Sequence, residues 1–160
     1  MTAELLEPGA AAPDFDLPAD DGGRIRLSSL KGKWIVVFFY PKALTPGCTT
    51  EACGFRDAYA ELQDLDAEVL GISHDPVPKL QKFREKNGLT FPLLSDVEHS
   101  VTAAYGVYGL KKFMGREYMG IKRTTFLIDP EGRIAKVWPK VRVKDHVADV
   151  VAELKARQAG

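Results

Sequence analysis

The pattern of apolar and polar positions divides the chain into alternating strands and helices. Two continuous apolar runs, at residues 34–40 and 67–73, predict strands that are buried on both faces. Between these runs, apolar residues recur at the spacing of one helix face, namely Ala52, Phe55, Tyr59 and Leu62. We therefore predict a helix that begins near Cys48 and ends at about Asp64.

Short runs with a period of two precede this unit. Residues 13–18 and 24–27 alternate like two strands, and the sequence Asp-Asp-Gly-Gly at 20–23 supplies a turn between them. Residues 28–32 predict a second tight turn. The pattern indicates an N-terminal β-hairpin ahead of the main sheet.

Two further helices are predicted after the second buried strand. Asp75-Pro76 begins the first, and Asn87-Gly88 ends it. A short extended segment at 91–94 follows, and Asp96 is placed to cap the second helix. The apolar residues of that helix are Val97, Val101 and Tyr105.

The last third of the chain predicts a loop, two strands and a helix. Residues 106–120 have mixed signals and are predicted to form the loop. Residues 121–128 and 132–138 are strands, and the sequence Asp-Pro-Glu-Gly at 129–132 favours a tight turn between them. An amphipathic helix ends the chain, with one apolar stripe formed by Val147, Val150, Val151 and Leu154. The order of elements indicates an α/β fold with a central mixed sheet and helices on both faces.

Length and charge limit the classes of protein that the chain can belong to. At 160 residues, a single domain spanning 1–160 is expected. The 22 basic and 22 acidic residues form no block of like sign, so nucleic acid and anionic membrane are not expected partners. No stretch approaches the roughly 18 apolar residues that span a bilayer. The N-terminus has no basic segment followed by an apolar one, so we expect no secretory signal and a cytoplasmic protein.

Both cysteines lie on the predicted helix, five residues apart. Cys48 follows Pro46-Gly47 at the start of the helix, where free N–H groups and the positive end of the helix dipole favour an anion. A thiol at this place ionises more readily, and the thiolate is the reactive form.

The spacing of the two cysteines restricts a disulfide between them, because Cys53 lies on a different face of the helix from Cys48. On an ideal helix the two Cα atoms would be roughly 8.5 Å apart. A disulfide tolerates about 7 Å, so this pair can bond only if the first turns of the helix unwind.

In a chain without a secretory signal, a close thiol pair is more often redox-active or metal-binding than structural. One such class is a general disulfide oxidoreductase, and another is a metal-binding module. The oxidoreductases favour Cys-x-x-Cys, which the chain lacks. A metal module would need more ligands, and no third cysteine and no histidine at zinc-finger spacing follow. No metal, flavin or haem is expected. His74, His99 and His146 are scattered in polar neighbourhoods and are expected at the surface.

With these residues in place, the chain resembles a peroxiredoxin of the bacterioferritin comigratory protein branch, also called PrxQ. The family signature Pro-x-x-x-Thr-x-x-Cys stands here as Pro41, Thr45 and Cys48, and the second cysteine of the branch stands as Cys53. The active-site arginine of the family matches Arg123. Positions 43 and 44 are Ala-Leu, where many relatives have more polar residues. The resemblance implies a thioredoxin-like fold and peroxidase activity toward hydrogen peroxide and organic hydroperoxides.

Thiol chemistry and the resemblance together give each residue an expected role. Cys48 attacks a hydroperoxide oxygen and becomes a sulfenic acid. Fixed donors, expected to be Thr45 Oγ, Arg123 and the Cys48 N–H, grip the peroxide as charge moves onto the leaving oxygen. The residues expected to shape the pocket are Pro41, Pro46, Gly47 and Glu51. Glu51, one turn inside the helix, bonds either Arg123 or the loop; its alternative role is to complement the helix dipole.

Cys53 is expected to attack the sulfenic acid and form a disulfide with Cys48. An external dithiol then reduces the disulfide, and the resemblance implies thioredoxin for this role. Because the resolving thiol is in the same chain, we expect a monomer. The alternatives are that Cys53 is an idle thiol of a one-cysteine enzyme and that Arg123 is a solvated strand residue. Phe113 and Met114 are candidates for an apolar rim around the site.

Overall fold

The computed structural model describes residues 5–158, and its first element is a small antiparallel hairpin. Strands β1 (Asp16–Pro18) and β2 (Arg24–Arg26) pair as the sequence predicted. The predicted tight turn at 28–32 is instead largely a 3-10 helix, Leu27–Leu30. The hairpin therefore forms a separate two-stranded sheet ahead of the central one.

A β-α-β unit forms the centre of the fold. Strands β3 (Trp34–Phe39) and β4 (Ala67–Ser73) lie side by side in parallel, and helix α1 (Pro46–Asp64) connects them. All three elements agree with the prediction from the apolar pattern. Because β3 ends where the loop to α1 begins, the cysteines lie at the carboxyl end of this strand.

The next segment contains two helices and one short strand. Helix α2 (Val77–Asn87) ends at Gly88, which has the left-handed conformation predicted for it, with φ of +59°. Strand β5 (Leu93–Ser95) follows, and helix α3 (Ser100–Ala104) has only five residues. The predicted place of Val97 on this helix is wrong, because Val97 precedes it and is exposed.

Asp96 nevertheless caps α3, as the sequence predicted. Its carboxylate accepts hydrogen bonds from the backbone N–H groups of Val101 and Thr102, with N–O distances of 3.1 and 2.8 Å to Oδ2. The residue that directly precedes the helix is His99, which has a left-handed conformation. The cap therefore spans a longer turn than the simple N-cap that the sequence indicated.

Residues 106–120 are not a loop but largely a second β-hairpin, so the prediction for this segment is wrong. Strands β6 (Tyr108–Phe113) and β7 (Arg116–Ile121) pair in antiparallel register. The turn between them is Met114-Gly115, and both residues have positive φ. Turns of this kind usually contain Asn-Gly or Asp-Gly, so Met-Gly gave no local signal.

The pattern along the hairpin also hides its strands. Gly109 and Gly120 lie directly opposite each other, and exposed apolar residues occur on both of its faces. Strands that are exposed over most of both faces show no regular alternation of apolar and polar residues. This absence of alternation explains why the segment resembled a loop.

Strands β8 (Thr124–Ile128) and β9 (Ile134–Trp138) complete the central sheet. The predicted strand at 121–128 is divided in two, because Ile121 ends β7 and the chain bends at Lys122-Arg123 before β8 begins. The turn between β8 and β9 has the predicted residues, and the Gly132 N–H donates to the Asp129 carbonyl over 3.0 Å. Helix α4 (His146–Gln158) ends the described chain.

The five-stranded sheet has the order β5-β4-β3-β8-β9 and is mixed. On one face, α1, α2 and α4 cover a core that includes Phe38, Phe55 and Phe83. On the other face, α3 and the N-terminal segment cover a core that includes Phe39 and Tyr105. Both faces are thus covered, and the edge where β3 ends and β8 begins carries the cysteine loop. Within residues 5–158 no helix has the length and hydropathy of a membrane span.

Candidate active site

Cys48 is in the first turn of α1, where the backbone favours an anion. Thr45 directly precedes the helix, and Pro46 occupies its first position, where a missing N–H does no harm. The first helical hydrogen bond runs from the Thr49 N–H to the Thr45 carbonyl over 2.9 Å. The N–H groups of Gly47 and Cys48 therefore precede the helical ladder. Cys48 itself is almost fully buried, at 1% exposure.

Arg123 brings a positive charge to the sulfur. Its Nη2 lies 3.2 Å from Cys48 Sγ, and its position follows from the bend ahead of β8. Strand β8 pairs antiparallel with β3, which puts the start of β8 beside the end of β3 and thus beside the cysteine loop. A Cβ atom on Gly47 would lie 3.3 Å from Nη2, so the glycine allows the close approach of the guanidinium.

Glu51 holds the other side of the same guanidinium. Arg123 Nη1 donates to Glu51 Oε1 over 2.7 Å. Of the two partners predicted for Glu51, Arg123 and the loop, the structure therefore shows Arg123. Burial raises the pKa of Glu51 to about 7, although Arg123 opposes the increase. Burial disfavours the charge of Arg123, but Glu51 and Cys48 outweigh it and raise the pKa of Arg123 above its usual value. Among the described residues, Glu51 Oε2 has no hydrogen-bond partner.

A buried carboxylate anchors the loop between β3 and α1. Asp75 Oδ2 accepts a hydrogen bond from the Ala43 N–H over 2.7 Å and another from Ser73 Oγ over 2.8 Å. Lys79 lies 3.2 Å from Oδ1 and balances the charge. The local sequence around Asp75 predicts only the start of a helix. The signal that was missed is its place two residues after the end of β4, since the carboxyl ends of parallel neighbours meet at one edge of a sheet.

The other predicted pocket residues lie in or beside this loop. Thr45 Oγ1 donates to the Lys42 carbonyl over 2.7 Å, and this bond fixes the hydroxyl near the start of α1. Pro41 is half-buried, whereas Pro46 is exposed. Leu44 is partly exposed and has a φ of +67°, a conformation that is uncommon for a branched side chain.

Cys53 is half-buried and lies against the end of α2. Its Sγ is 3.9 Å from Asn87 Oδ1, and both cysteines are free thiols. The distinction that the sequence made between the two faces of α1 is confirmed, because Cys48 is buried with Ala52 and Phe55 while Cys53 is not. No disulfide joins the two cysteines in this conformation.

The hairpin β6–β7 extends beside the site. Burial, with a smaller contribution from Arg123, lowers the pKa of Lys111 on β6 below its usual value. Met114, one of the two candidates for an apolar rim, is exposed at the hairpin turn, and nothing is described for the side chain of Phe113. A cavity of about 300 Å³ lies at the other end of the sheet, and none of the predicted site residues line it.

The histidines differ from the prediction that all three lie at the surface. His146 is buried, its Nε2 is 2.8 Å from Thr125 Oγ1, and its ring packs edge-on against Phe55 and Trp138. His74 and His99 are half-buried and stack with ring centroids 3.7 Å apart. The burial of each histidine therefore depends on how its element packs and not on the polarity of the residues beside it in sequence. Across residues 5–158, no group of three or more His, Cys, Asp and Glu side chains is arranged as metal ligands.

Comparison with known proteins gives one consistent family. The sequence profile of the AhpC/TSA family matches residues 8–137. Peroxiredoxin Bcp of Bacillus subtilis is 54% identical over 155 residues, which is 97% of each chain. The bacterioferritin comigratory protein of Xanthomonas campestris has a TM-score of 0.88 and 39% identity, covering 97% of this chain and 99% of that one. Peroxidoxin BcpB of Mycobacterium tuberculosis has a TM-score of 0.84 and 40% identity, covering 94% and 97%.

These similarities extend over nearly the whole chain, and they confirm the α/β thioredoxin-like fold. The enzymes of this family need a hydroperoxide substrate and a thiol reductant. The chain belongs to the AhpC/TSA family and is a peroxiredoxin of the Bcp branch, that is, a thiol peroxidase.

Proposed function

We propose that Cys48 is the peroxidatic residue and that Arg123 and Thr45 are its catalytic partners. The observation that carries this assignment is the 3.2 Å separation of Arg123 Nη2 and Cys48 Sγ at the start of a helix. An anion at this sulfur is stabilised by the guanidinium, by the free N–H groups of the first turn and by the helix dipole. Glu51 fixes the orientation of the guanidinium through its second nitrogen.

In the first step, the Cys48 thiolate attacks one oxygen of the hydroperoxide. The S–O bond forms as the O–O bond breaks, and the leaving oxygen takes a proton and departs as water or an alcohol. Cys48 is oxidised to a sulfenic acid, and the peroxide is reduced. Because the leaving oxygen gains negative charge, fixed donors accelerate the step most if they already point to its position. Arg123 and the Cys48 N–H have this role, and Thr45 Oγ1 joins them when its hydrogen turns from the Lys42 carbonyl to the peroxide. Pro41, Pro46 and Gly47 shape the pocket.

Cys53 completes the oxidised half of the cycle. Its sulfur attacks the sulfenic sulfur, a disulfide forms and water leaves. The two residues are five positions apart on α1, so the first turns of the helix must unwind before the sulfurs meet. No second chain is needed, which supports a monomer with its one domain spanning 1–160. A dithiol protein of the thioredoxin type reduces the disulfide, and the need for such a reductant supports a place in the cytoplasm, where thiols are kept reduced.

The substrates that we propose are hydrogen peroxide and organic hydroperoxides. The X. campestris relative is described as having alkyl peroxide reduction activity. In this chain, Leu44 is partly exposed in the loop between Pro41 and Thr45, and Leu110 is exposed on the neighbouring hairpin. Apolar surface beside the site is compatible with a substrate that has an alkyl group.

Steady-state peroxide consumption with a thioredoxin system tests the assignment. Cys48→Ser should abolish turnover of hydrogen peroxide and of an alkyl hydroperoxide. Cys53→Ser should block turnover with thioredoxin but leave one rapid turnover per enzyme. Sustained turnover by Cys48→Ser, or insulin reduction by the wild type without peroxide consumption, would overturn the proposal. The second result would favour a general disulfide oxidoreductase.

A further inference from the structure

The last residue of α2 contacts Cys53. Asn87 Oδ1 is 3.9 Å from Cys53 Sγ, within the range of a hydrogen bond to sulfur. The backbone carbonyl of Asn87 also accepts a hydrogen bond from Arg56 Nη1 over 2.5 Å. Asn87 therefore connects the end of α2 to α1 at two points, one of which is the resolving cysteine.

The orientation of the Asn87 amide follows from its own hydrogen bonds. Asn87 Nδ2 donates to the Phe83 carbonyl, one turn earlier in α2, over 3.1 Å. Phe83 is fully buried in the core, so it provides a fixed reference. With the nitrogen engaged there, the oxygen faces Cys53, and an amide oxygen can only accept a hydrogen bond. The Cys53 sulfur is accordingly the donor, and it has to be a protonated thiol to make the contact.

We propose that Asn87 is a positioning residue for the resolving step, and this proposal rests on the proposed function. Its side-chain oxygen holds Cys53 as a neutral thiol on the folded α1 and so delays the attack on the Cys48 sulfenic acid. Arg56 makes a separate contact: it donates to the backbone carbonyl of Asn87 and so anchors the next turn of α1. Removing only the side chain of Asn87 therefore releases Cys53 without releasing Arg56.

The chemistry of resolution explains why this contact matters. Cys53 has to lose its S–H proton as its sulfur attacks the sulfenic sulfur of Cys48. The S–S bond forms, the S–O bond breaks, and the hydroxide leaves as water with the proton from Cys53. A hydrogen bond that uses the same proton stabilises the neutral thiol and opposes both deprotonation and departure from the helix. A slower resolving step lengthens the life of the sulfenic acid, which a second peroxide can oxidise to the sulfinic acid.

Two substitutions at Asn87 have opposite expected effects. Asn87→Ala removes the acceptor, and we expect the disulfide to form about two- to fivefold faster, the equivalent of one weak hydrogen bond. Asn87→Asp keeps an acceptor but adds a negative charge beside the thiol, which disfavours the thiolate. We expect about threefold slower disulfide formation in this variant, on the same scale. Lys86→Ala, an exposed change in the same turn of α2, is the matched control and should leave the rate unchanged.

The experiment mixes each fully reduced protein with one equivalent of hydrogen peroxide and measures the sulfenic acid and the disulfide by rapid quench and mass spectrometry. If Asn87 had a merely structural role, both substitutions would change the rate of disulfide formation in the same direction. That result, or an unchanged rate in both variants, would overturn the proposal. If Cys48 is not oxidised in any of the four proteins, the proposed function itself fails and this proposal fails with it. Normal oxidation of Cys48 with unchanged resolution removes only this proposal.

A second measurement does not depend on the peroxide reaction. In the Cys48→Ser background, the rate at which iodoacetamide alkylates Cys53 should rise in Asn87→Ala and fall in Asn87→Asp. Among the charged residues close to Cys53 and Asn87 in sequence, Arg56 pairs with Asp57 and Arg84 pairs with Asp20. None of these groups is altered by the substitutions. Equal alkylation rates in all variants would contradict the hydrogen bond.

Discussion

Arg123 Nη2 lies 3.2 Å from Cys48 Sγ, although the two residues are 75 positions apart in the sequence. The antiparallel pairing of β8 with β3 creates this contact, because it places the bend before β8 beside the start of α1. Nη1 of the same guanidinium donates to Glu51, one turn inside α1. One side chain thus joins the sulfur, a buried carboxylate and the edge of the sheet, and its removal should affect the chemistry more than the fold.

We predict that Arg123→Gln slows the oxidation of Cys48 by about a hundredfold or more, the usual effect of losing one fixed donor at such a site. Arg123→Lys should recover little of the rate, because an ammonium group cannot contact Cys48 and Glu51 with the geometry of a guanidinium. Single-turnover kinetics with excess peroxide measure this step. The control is Lys122→Gln, which removes the same charge from the neighbouring exposed residue. A rate for Arg123→Gln close to that of the control would contradict a catalytic role for Arg123.

For Glu51 we predict different effects from two substitutions. Glu51→Gln keeps an oxygen that can accept the Arg123 hydrogen bond, so the rate of Cys48 oxidation should fall by no more than about tenfold. Glu51→Ala leaves Arg123 without this partner and should reduce the rate further. The same single-turnover assay distinguishes the two variants. Equal rates in both would show that Glu51 does not orient Arg123 and serves only the helix dipole.

Asp75 provides a prediction about the loop that precedes Cys48. Asp75→Ala removes the acceptor of the Ala43 N–H and leaves that buried group unpaired, at a cost of about 1.5–3 kcal/mol in the free energy of unfolding. Because the loop contains Pro41 and Thr45, Cys48 oxidation should also slow by about tenfold. Urea unfolding and single-turnover kinetics measure the two effects, with the exposed Asp64→Ala as the control. A loss of stability with a normal rate would show that the loop keeps its position without Asp75.

The sequence predicted the start of α1 well because the signals of a helix start are local. Proline at its first position, a break after an apolar strand and the apolar spacing that follows all lie within 22 residues around Cys48. The geometric conflict between Cys48 and Cys53 also follows from spacing alone. In contrast, Arg123 was identified only from the resemblance, because a single arginine beside a strand has no local signal for catalysis.

The residues that the sequence did not identify are linked to the site by distant contacts. Asp75 reaches Ala43 across 32 positions, and Asn87 reaches Cys53 across 34. The local signals of Asp75 and Asn87 were real but indicated only the ends of a helix. His146 was predicted at the surface from its polar sequence neighbours, whereas α4 turns it inward between Phe55 and Trp138. Such contacts depend on how the elements pack, which periodicity does not specify.

His146 gives a prediction about the pH dependence of stability. Burial lowers its pKa to about 4 from the ordinary 6.5, so between these values the unfolded chain binds a proton that the folded chain does not. The free energy of unfolding should therefore fall as the pH is lowered from 6.5 toward 4, by about 2 kcal/mol at pH 5 from this group. Urea unfolding of the reduced wild type and His146→Gln at pH 7.5 and pH 5 isolates the effect. If the two proteins lose the same stability over this range, His146 is not the group responsible.

The most direct test follows the oxidation states of the Cys48 and Cys53 sulfurs after one equivalent of hydrogen peroxide is added to the fully reduced protein. Rapid quench with a sulfenic acid trap, followed by mass spectrometry, should show a sulfenic acid on Cys48 first and a Cys48–Cys53 disulfide afterwards. In Cys53→Ser the Cys48 sulfenic acid should form at the same rate and accumulate. A first oxidation at Cys53, or a disulfide that forms without a preceding Cys48 sulfenic acid, would contradict the central claim.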